Sequence, residues 1–366
     1  MTGIESSRDS FLQGDVERIA NSACIPWDEL GGSSVLVTGA TGLIGSLVVM
    51  ALACRNRLFN QGIKIKALAR NREKAERVFG NLLGRPGFEI VEGDVNTPIE
   101  GAGDVDYIIH AASATSSKYF VTNPVETIAT AIDGTRNVLE LARRCKVKGF
   151  LYLSSLEVYG VPAEGRVKML ESEAGYIDSM KVRSCYSEGK RMVECLCASY
   201  ASEYGVPAKV VRLSQTFGAG VAYTDGRVFA QFARSAIEGA DIVLKTKGET
   251  LRNYCYTADA VTALLLVLVK GSVGEAYNVA NKDTAISIAD MAKFVCDKFS
   301  GGRSKVVFDI AEDATKLGYN PVVKICLDTA KLEALGWKAE FGLEEMFRRI
   351  IESMKYVYRE ENPEKA

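Results

Sequence analysis

The sequence predicts an α/β fold in which a doubly wound parallel sheet is followed by a smaller C-terminal lobe. Short apolar segments rich in β-branched residues alternate with longer amphipathic segments through about the first 216 residues, the pattern of successive β-α units. A glycine-rich turn follows the first apolar segment directly. After about Phe217 the alternation weakens, so we expect the smaller lobe there, interleaved with the last strands of the sheet.

The predicted elements follow one another in a regular order. Strands are predicted at 35–38, 63–69, 88–92, 105–110, 150–154 and 210–213. Helices are predicted at 46–55, 73–83, 124–145, 186–204, 258–269, 287–299 and 343–356, and loops at 218–228 and 246–256. The weakly amphipathic residues 15–23 predict a short helix ahead of the first strand, which we expect to be a surface clasp or a dimer contact.

Composition and charge exclude several classes of function. The 366 residues carry a net charge of −1 with both signs interspersed, so we expect neither a nucleic-acid nor a membrane partner. No apolar run approaches the ~20 residues of a membrane span. The polar N-terminus does not resemble a secretory signal, and nine cysteines without a C-x-x-C pair are typical of reduced thiols, so we expect a cytoplasmic protein. His110 is the only histidine, which excludes a multi-histidine metal site, and no metal is expected.

The glycine-rich turn predicts a dinucleotide site. Gly39, Gly42 and Gly45 form a G-x-x-G-x-x-G pattern between the first strand and the helix that follows it. Glycines let a pyrophosphate approach the backbone, and the helix N-terminus supplies N–H donors and the positive end of its dipole. Between a strand and a helix, the motif indicates a Rossmann-like cofactor domain rather than a plain turn.

The end of the second strand bears on the choice between NAD and NADP. An NAD site of this kind has an acidic residue there, which binds the ribose 2′-hydroxyl. This sequence has Ala69 instead, followed by Arg70 and Arg72, whose guanidinium groups suit a 2′-phosphate. We therefore expect NAD or NADP, with Arg70 favouring NADP; the alternative is that both arginines are ordinary solvated side chains. Asp94, after the third strand, is placed to accept a hydrogen bond from the adenine amino group.

A tyrosine and a lysine four residues apart form the candidate catalytic pair. A helix places Tyr186 and Lys190 on one face. An adjacent ammonium stabilises a phenolate, which predicts a lowered tyrosine pKa and a usable general base. The pair carries weight because it opens the helix after the fifth strand, which ends at Ser154 and Ser155, and parallel sheets bind ligands at the carboxyl ends of their strands.

These motifs together resemble the extended short-chain dehydrogenases. The segments that carry the resemblance are 110–112, 155–160, 186–190 and 335–349, and it covers roughly residues 33–355. Within that superfamily, the segments 183–191, 225–228 and 248–252 are most similar to UDP-glucuronate decarboxylases. Tyr119 with Asn123 and Pro124 also resembles their substrate wall.

The resemblance implies an enzyme that modifies a nucleotide sugar, UDP-glucuronate first of all, through a 4-keto intermediate, and that forms a homodimer. It implies the catalytic residues Ser155, Glu157, Tyr186 and Lys190, and the substrate-binding residues Tyr119, Gln215, Arg227 and Arg252. Cofactor contacts are expected from Gly39, Thr41, Gly42, Leu43, Ile44, Gly45, Arg70, Asp94, Val95, Ala111, Ala112, Ser113, Tyr186 and Lys190. We divide the chain into an N-terminal extension (1–32), a dinucleotide-binding domain (33–216) and a mainly substrate-binding part (217–366).

Departures from the family patterns leave several reactions open. Leu156 precedes Glu157 where 4,6-dehydratases have an aspartate, which argues against dehydration, whereas Glu157 matches decarboxylases. A UDP-glucuronate decarboxylase is the leading hypothesis. The alternatives are a 4-epimerase, favoured by Leu156, an NADPH-dependent reductase, favoured by Arg70, and a scaffold protein without turnover. Gln215 stands where an asparagine is usual, and for Glu157 and Arg252 an ordinary surface charge is the alternative interpretation.

Overall fold

Strands and helices alternate along most of the chain in the computed structural model, which describes residues 3–311 and 322–361. The strands are β1 Ser34–Thr38, β2 Lys64–Ala69, β3 Phe88–Glu92, β4 Tyr107–His110, β5 Gly149–Ser155, β6 Lys168–Met169, β7 Ala208–Leu213, β8 Gln215–Phe217, β9 Ile242–Leu244, β10 Leu251–Tyr256, β11 Ala276–Val279, β12 Asn281–Ser287, β13 Val306–Phe308 and β14 Lys324–Leu327. The helices are α1 Ser10–Ala20, α2 Trp27–Leu30, α3 Leu43–Phe59, α4 Arg72–Val78, α5 Ser117–Thr122, α6 Pro124–Cys145, α7 Ser184–Tyr204, α8 Val228–Glu238, α9 Thr257–Lys270, α10 Ile288–Phe299, α11 Ala330–Glu333 and α12 Leu343–Glu361. Among the described residues, no helix combines the length and the apolar character needed to cross a membrane.

Seven parallel strands form the central sheet, in the order β3-β2-β1-β4-β5-β7-β11. The direction of winding reverses between β1 and β4, which creates the switch point where doubly wound sheets bind ligands. At that edge Thr38 pairs with His110, and His110 pairs with Tyr152. The predicted α/β fold with a doubly wound parallel sheet is confirmed, and β3 and α6 have the predicted bounds.

The alternation of side chains along β1 explains why helices cover both faces of the sheet. Val35 and Val37 belong to one apolar cluster with residues of α3 and α9. Leu36 points the other way and belongs to a second cluster with residues of α6 and α7. Because both faces of the strand are buried, its sequence is a continuous apolar run rather than an alternating one.

The C-terminal part contains a second sheet, of five strands, in which β10 lies between β12 and β14 and also pairs with β8. The prediction of a loop over 246–256 is therefore wrong for residues 251–256. Asn253 gives the physical reason, because its buried side-chain amide exchanges two hydrogen bonds of 3.0 Å with the backbone of Leu327. The side-chain amide satisfies the hydrogen bonds of a neighbouring backbone, so a polar residue can be buried here. Such a residue interrupts the apolar pattern by which a strand is predicted.

Helix α1 folds the N-terminal segment onto the body of the protein, and it begins five residues before its predicted start. The earlier start follows from Asp9, whose carboxylate accepts hydrogen bonds from the N–H groups of Phe11 (2.9 Å) and Leu12 (3.0 Å). Val16 and Ile19 are fully buried in the same apolar cluster as α3 and α9. The segment is thus part of the packed structure of the chain.

A substitution at Gly14 tests whether α1 is formed in solution. Gly14 lies exposed inside the helix, and an added Cβ would have no atom within 4 Å. Gly14→Ala should therefore raise the free energy of unfolding by about 1 kcal/mol in a denaturant titration, the difference in helix propensity between the two residues. Gly239→Ala is the control: its φ of +70° strains alanine, so this variant should lose stability. A Gly14→Ala variant no more stable than the wild type would mean that α1 is not formed in solution.

Candidate active site

The glycine turn brings the backbones of β1 and β4 into close contact. A Cβ on Gly39 would lie 2.7 Å from the carbonyl carbon of Ala111 and from the nitrogen of Ala112. A Cβ on Gly45 would lie 2.3 Å from the carbonyl oxygen of Gly39. Side chains are excluded at both positions because backbone atoms fill the space. The turn therefore follows the one path that glycine allows.

The residues of this turn fit the phosphates of a dinucleotide. Gly42 precedes the 17-residue helix α3 in extended conformation, and no side chain caps its first N–H groups. Uncapped N–H donors and the positive end of the helix dipole together suit an anionic group. Leu43 and Ile44 are half-buried in the first turn of this helix, and Thr41 precedes it in the same turn. Sequence analysis predicted these residues as cofactor contacts, and that role stays a prediction.

His110 orders the wall opposite the glycine turn. It is buried, its Nδ1 lies 2.6 Å from Thr38 Oγ1, and its Nε2 lies 3.0 Å from Thr135 Oγ1. Burial lowers the pKa of this histidine to about 3, so it stays neutral at physiological pH. Thr38 Oγ1 also accepts a hydrogen bond from the N–H of Ala112 at 3.2 Å. Through Thr38, the histidine thus fixes the backbone at Ala112. Ala112 is the middle residue of the segment 111–113, whose residues are candidate cofactor contacts.

At the candidate adenosine end of the site, the positive side chain of Arg70 lies near the negative side chain of Asp94. The Arg70 side chain is 73% exposed, and its Nη1 lies 3.8 Å from Oδ2 of Asp94. The other carboxylate oxygen of Asp94 accepts the N–H of Asn96 at 3.0 Å. Val95 is buried, and its carbonyl accepts a hydrogen bond of 2.8 Å from Asn137. Arg72 instead pairs with Glu76 along α4 at 3.0 Å, so the two arginines have different surroundings.

The predicted tyrosine and lysine share one face of α7, beside the end of β5. Lys190 is 3% exposed, and its Nζ donates a hydrogen bond of 2.7 Å to the carbonyl of Leu153. The same nitrogen lies 5.7 Å from the centre of the Tyr186 ring. Tyr186 is half-buried and stacks on Phe120, with ring centres 4.3 Å apart. The helix therefore gives the arrangement that the spacing predicted.

The pKa of Tyr186 is raised above its ordinary value, chiefly by burial and then by the charge of Glu157. A hydrogen bond with Ser155 and the charges of Arg183 and Arg227 act in the opposite direction. Burial also lowers the pKa of Lys190 to about 7. The prediction that the lysine brings the tyrosine pKa down towards neutrality is therefore wrong for the chain by itself, because burial disfavours the charged form of each group.

An ion pair that the sequence analysis missed lies against the tyrosine. Arg183 Nη2 lies 3.1 Å from Oε1 of Glu157, and the hydroxyl of Ser187 donates to Oε2 at 3.1 Å. The Arg183 guanidinium lies over the rings of Phe120 (4.7 Å) and Tyr186 (6.0 Å). The i,i+3 spacing of Arg183 and Tyr186 was a usable signal, because it places both on one face of a helix. Phe120 gave no such signal, since it comes from α5.

The predicted substrate residues fall into two groups. Arg227 directly precedes α8, and its guanidinium binds the Asp225 carboxylate through contacts of 2.6–3.1 Å. Its positive charge also lowers the pKa of Tyr186, so it belongs to the surroundings of the tyrosine. The hydrogen bonds of the described residues do not join Tyr119, Gln215 or Arg252 to that tyrosine. Gln215 pairs with Tyr254 between β8 and β10, and Tyr119 lies exposed on α5. Arg252 is half-buried on β10, and its Nε has no hydrogen-bond partner there.

Comparison with known proteins places this site in a family. The sequence pattern of the NAD dependent epimerase/dehydratase family matches residues 35–280, which include the glycine turn, β5 and α7. The chain belongs to this family. The predicted resemblance to extended short-chain dehydrogenases is thereby confirmed, and with it the prediction of an enzyme.

Relatives within the epimerase/dehydratase family point to sugar nucleotides. UDP-glucuronic acid decarboxylase 1 of Xenopus tropicalis is 30% identical over 87% of this chain and 71% of its own length. UDP-glucuronic acid decarboxylase 6 of Arabidopsis thaliana is 32% identical over 71% of this chain and 73% of its own. These relatives support an enzyme that modifies nucleotide sugars.

Solved structures of the family share the fold. UDP-glucose 4-epimerase of Thermotoga maritima, solved with UDP-glucose, superimposes with a TM-score of 0.73 at 23% identity, over 89% of this chain and 99% of its own. UDP-glucuronic acid 4-epimerase of Bacillus cereus, solved with NAD, gives a TM-score of 0.71 at 20% identity over the same shares. At these identities the likeness shows a shared fold over nearly nine-tenths of this chain.

The ion pair beside Tyr186 predicts opposite shifts in the pH dependence of turnover. Glu157→Gln removes a charge that raises the tyrosine pKa, so the pH at which kcat/KM rises should fall. Arg183→Gln removes a charge that lowers it and leaves Glu157 uncompensated, so this pH should increase. Arg348→Gln, which breaks an exposed pair on α12, is the charge-matched control and should leave the profile unchanged. Shifts of the same sign in both site variants would refute the electrostatic assignment.

Proposed function

We propose that this enzyme is a UDP-glucuronate decarboxylase that works through a 4-keto sugar. The observation that carries the proposal is Glu157, held by Arg183 and Ser187 beside Tyr186, in a chain whose relatives bear the name UDP-glucuronic acid decarboxylase. A glutamate fixed in this way can act at the carboxylate end of the sugar while the tyrosine acts at the 4-hydroxyl.

The first step is removal of a proton from the sugar. Tyr186 Oη accepts the proton of the 4-hydroxyl, and the Ser155 hydroxyl holds the same oxygen. When bound, the dinucleotide accepts a hydride from C4 and gives it back at the end of the cycle. We propose that Lys190 supports this proton transfer, since its Nζ lies 5.7 Å from the centre of the Tyr186 ring and is fixed by the Leu153 carbonyl.

The ketone at C4 makes the substrate a β-keto acid, which loses its carboxylate readily. The C5–C6 bond breaks, CO2 leaves, and the electron pair moves onto the C4 oxygen, where Tyr186 and Ser155 stabilise it. We propose that Glu157 and Arg252 orient the carboxylate, and that Glu157 passes a proton from solvent to C5, where it replaces the lost carboxylate. Tyr186 finally returns its proton to the 4-oxygen, so the products are UDP-xylose and CO2 without net oxidation.

Leu156, the residue that favoured a 4-epimerase, has another explanation. It is 5% exposed and lies in an apolar cluster with Tyr159, Met169 and Ile325. A leucine at this position follows from packing, so it supports an epimerase no better than a decarboxylase.

The remaining assignments extend the same proposal. We propose that Tyr119, Gln215, Arg227 and Arg252 bind the nucleotide sugar, that residues 33–216 bind the cofactor, and that 217–366 mainly bind the substrate. A homodimer is proposed through α6 and α7, because each of these helices exposes an apolar side chain, Val125 by 71% and Met192 by 54%. Burial of such side chains favours association of helices.

The proposed reaction is tested by mass spectrometry of UDP-glucuronate incubated with the protein and with NAD or NADP. A product lighter by one CO2, without accumulation of reduced cofactor, is expected. Tyr186→Phe should lower kcat at least about 100-fold, since it removes the general base. Tyr204→Phe, on the same helix but exposed, is the control and should stay active. Unchanged mass with altered chromatographic retention would identify an epimerase, and no product at all would refute UDP-glucuronate as the substrate.

The cofactor preference is tested at Arg70. We propose that its guanidinium binds the 2′-phosphate of NADP, because no acidic residue ends β2 and the side chain is available. Arg70→Ala should weaken NADP binding by about ten-fold, the effect of one charged hydrogen bond, and leave NAD binding unchanged. Arg72→Ala, which loses only the pair with Glu76, is the matched control. Equal binding of NADP by Arg70→Ala and the wild type in calorimetry would overturn the assignment.

A further inference from the structure

Two successive N–H groups of the 218–227 loop are held by hydroxyl groups from elsewhere in the chain. The N–H of Ala219 donates to the Tyr256 hydroxyl at 3.3 Å, and the N–H of Gly220 donates to Ser353 Oγ at 3.0 Å. Tyr256 ends β10 and Ser353 lies in α12, so different elements supply the two acceptors. The same loop ends at Arg227, which the proposed function assigns to the nucleotide sugar.

Each hydroxyl in turn donates a hydrogen bond to a carboxylate of the N-terminal segment (residues 3–21). Tyr256 Oη donates to Oδ2 of Asp15 at 2.5 Å, and Ser353 Oγ donates to Oδ2 of Asp9. Asp15 is fully buried, and Arg349 Nη1 lies 2.6 Å from its other oxygen, which balances its charge. Two relays of hydrogen bonds thus connect the segment to the loop: one runs through Asp15, Tyr256 and Ala219, and the other through Asp9, Ser353 and Gly220.

The N-terminal segment is itself anchored to the cofactor-binding half of the chain. The buried Glu5 binds Arg57 of α3 through two contacts of 2.9 Å and Arg85 through one of 2.8 Å. Leu12 packs against the loop, since a Cβ on Gly220 would lie 3.3 Å from Leu12 Cδ1 and 3.9 Å from Leu43 Cδ1. Leu43 is the first residue of α3, so the loop, α1 and the candidate cofactor helix meet at Gly220.

We propose that the N-terminal segment is a positioning element for the nucleotide sugar: through Asp9 and Asp15 it fixes the near end of the 218–227 loop, the loop that carries Arg227 at its other end. This inference rests on the proposed function for the identity of the ligand, but the relays themselves do not depend on it.

The physical basis is that a hydroxyl has a single proton. When a carboxylate accepts the hydrogen bond made by that proton, the lone pairs of the hydroxyl oxygen are directed to the loop N–H, and each hydrogen bond strengthens the other. Without the hydroxyl, a loop N–H loses its partner and the loop is less restrained. Asp225 and Arg234 order the far end of the loop, because Arg234 Nη1 donates to the Asp225 carbonyl at 2.7 Å. The near end depends on the two relays.

The test compares Ser353→Ala and Tyr256→Phe, which each remove one hydroxyl, with Ser10→Ala. Ser10 Oγ lies 3.0 Å from the Tyr356 hydroxyl, so this control removes a hydrogen bond between α1 and α12 that does not reach the loop. Hydrogen exchange of peptides covering 218–227 is measured first, and thermal unfolding verifies that each variant is folded. Faster exchange is expected in both relay variants and not in Ser10→Ala.

Binding of UDP, measured by calorimetry, is the second readout. Each relay variant should bind UDP about five-fold more weakly, the effect of one hydrogen bond, and KM for the sugar nucleotide should rise in parallel while kcat changes little. Wild-type exchange and affinity in both relay variants would overturn the inference, as would equal changes in Ser10→Ala. A wild-type protein that binds no UDP would overturn the proposed function, and the exchange comparison would then decide the relays alone.

Discussion

The hydrogen bond that fixes the buried amino group of Lys190 is the interaction on which the site depends. Burial makes the charged form of this group costly and lowers its pKa, and the Leu153 carbonyl accepts a hydrogen bond from it at 2.7 Å. That contact joins α7 to the end of β5, so the residues on one face of the helix meet the residues that follow the strand. Tyr186 lies in α7 and Arg183 directly precedes that helix, whereas Ser155 ends β5 and Glu157 lies in the turn that follows it. The relative positions of these four side chains depend on the contact that fixes Lys190.

Three arginines near the candidate ligand surfaces lie beside a carboxylate. Arg183 pairs with Glu157, Arg227 with Asp225, and Arg70 lies near Asp94. Such pairing restricts the rotamers of long side chains, so less conformational entropy is lost when an anion binds. It also keeps the local charge close to neutral, in agreement with a chain whose net charge is −1.

Much of the cofactor half of the fold could be predicted from the sequence, because each β-α unit there has a clear period. The bounds of α6 and β3 were predicted correctly, because Pro124 marks the start of the helix and Gly93 follows the end of the strand. The C-terminal part could not be predicted as well, since Asn253 and Arg252 interrupt the pattern of a strand that the fold buries. Contacts between residues far apart in sequence could not be predicted either. The stacking of Phe120 on Tyr186 joins α5 to α7, and the contact of Asp15 with Tyr256 spans 241 residues. The shift of the tyrosine pKa needed burial, which spacing alone does not report.

The last strand of the central sheet, β11, comes from residues 276–279, well after the chain has entered the second sheet. It pairs with β7 along four residues and covers what would otherwise be an open edge. A ribosome must therefore pass residue 279 before the central sheet is complete. Until then a row of unpaired backbone groups on β7 is available to other chains, so this enzyme is expected to depend on chaperones during synthesis more than its regular first half suggests.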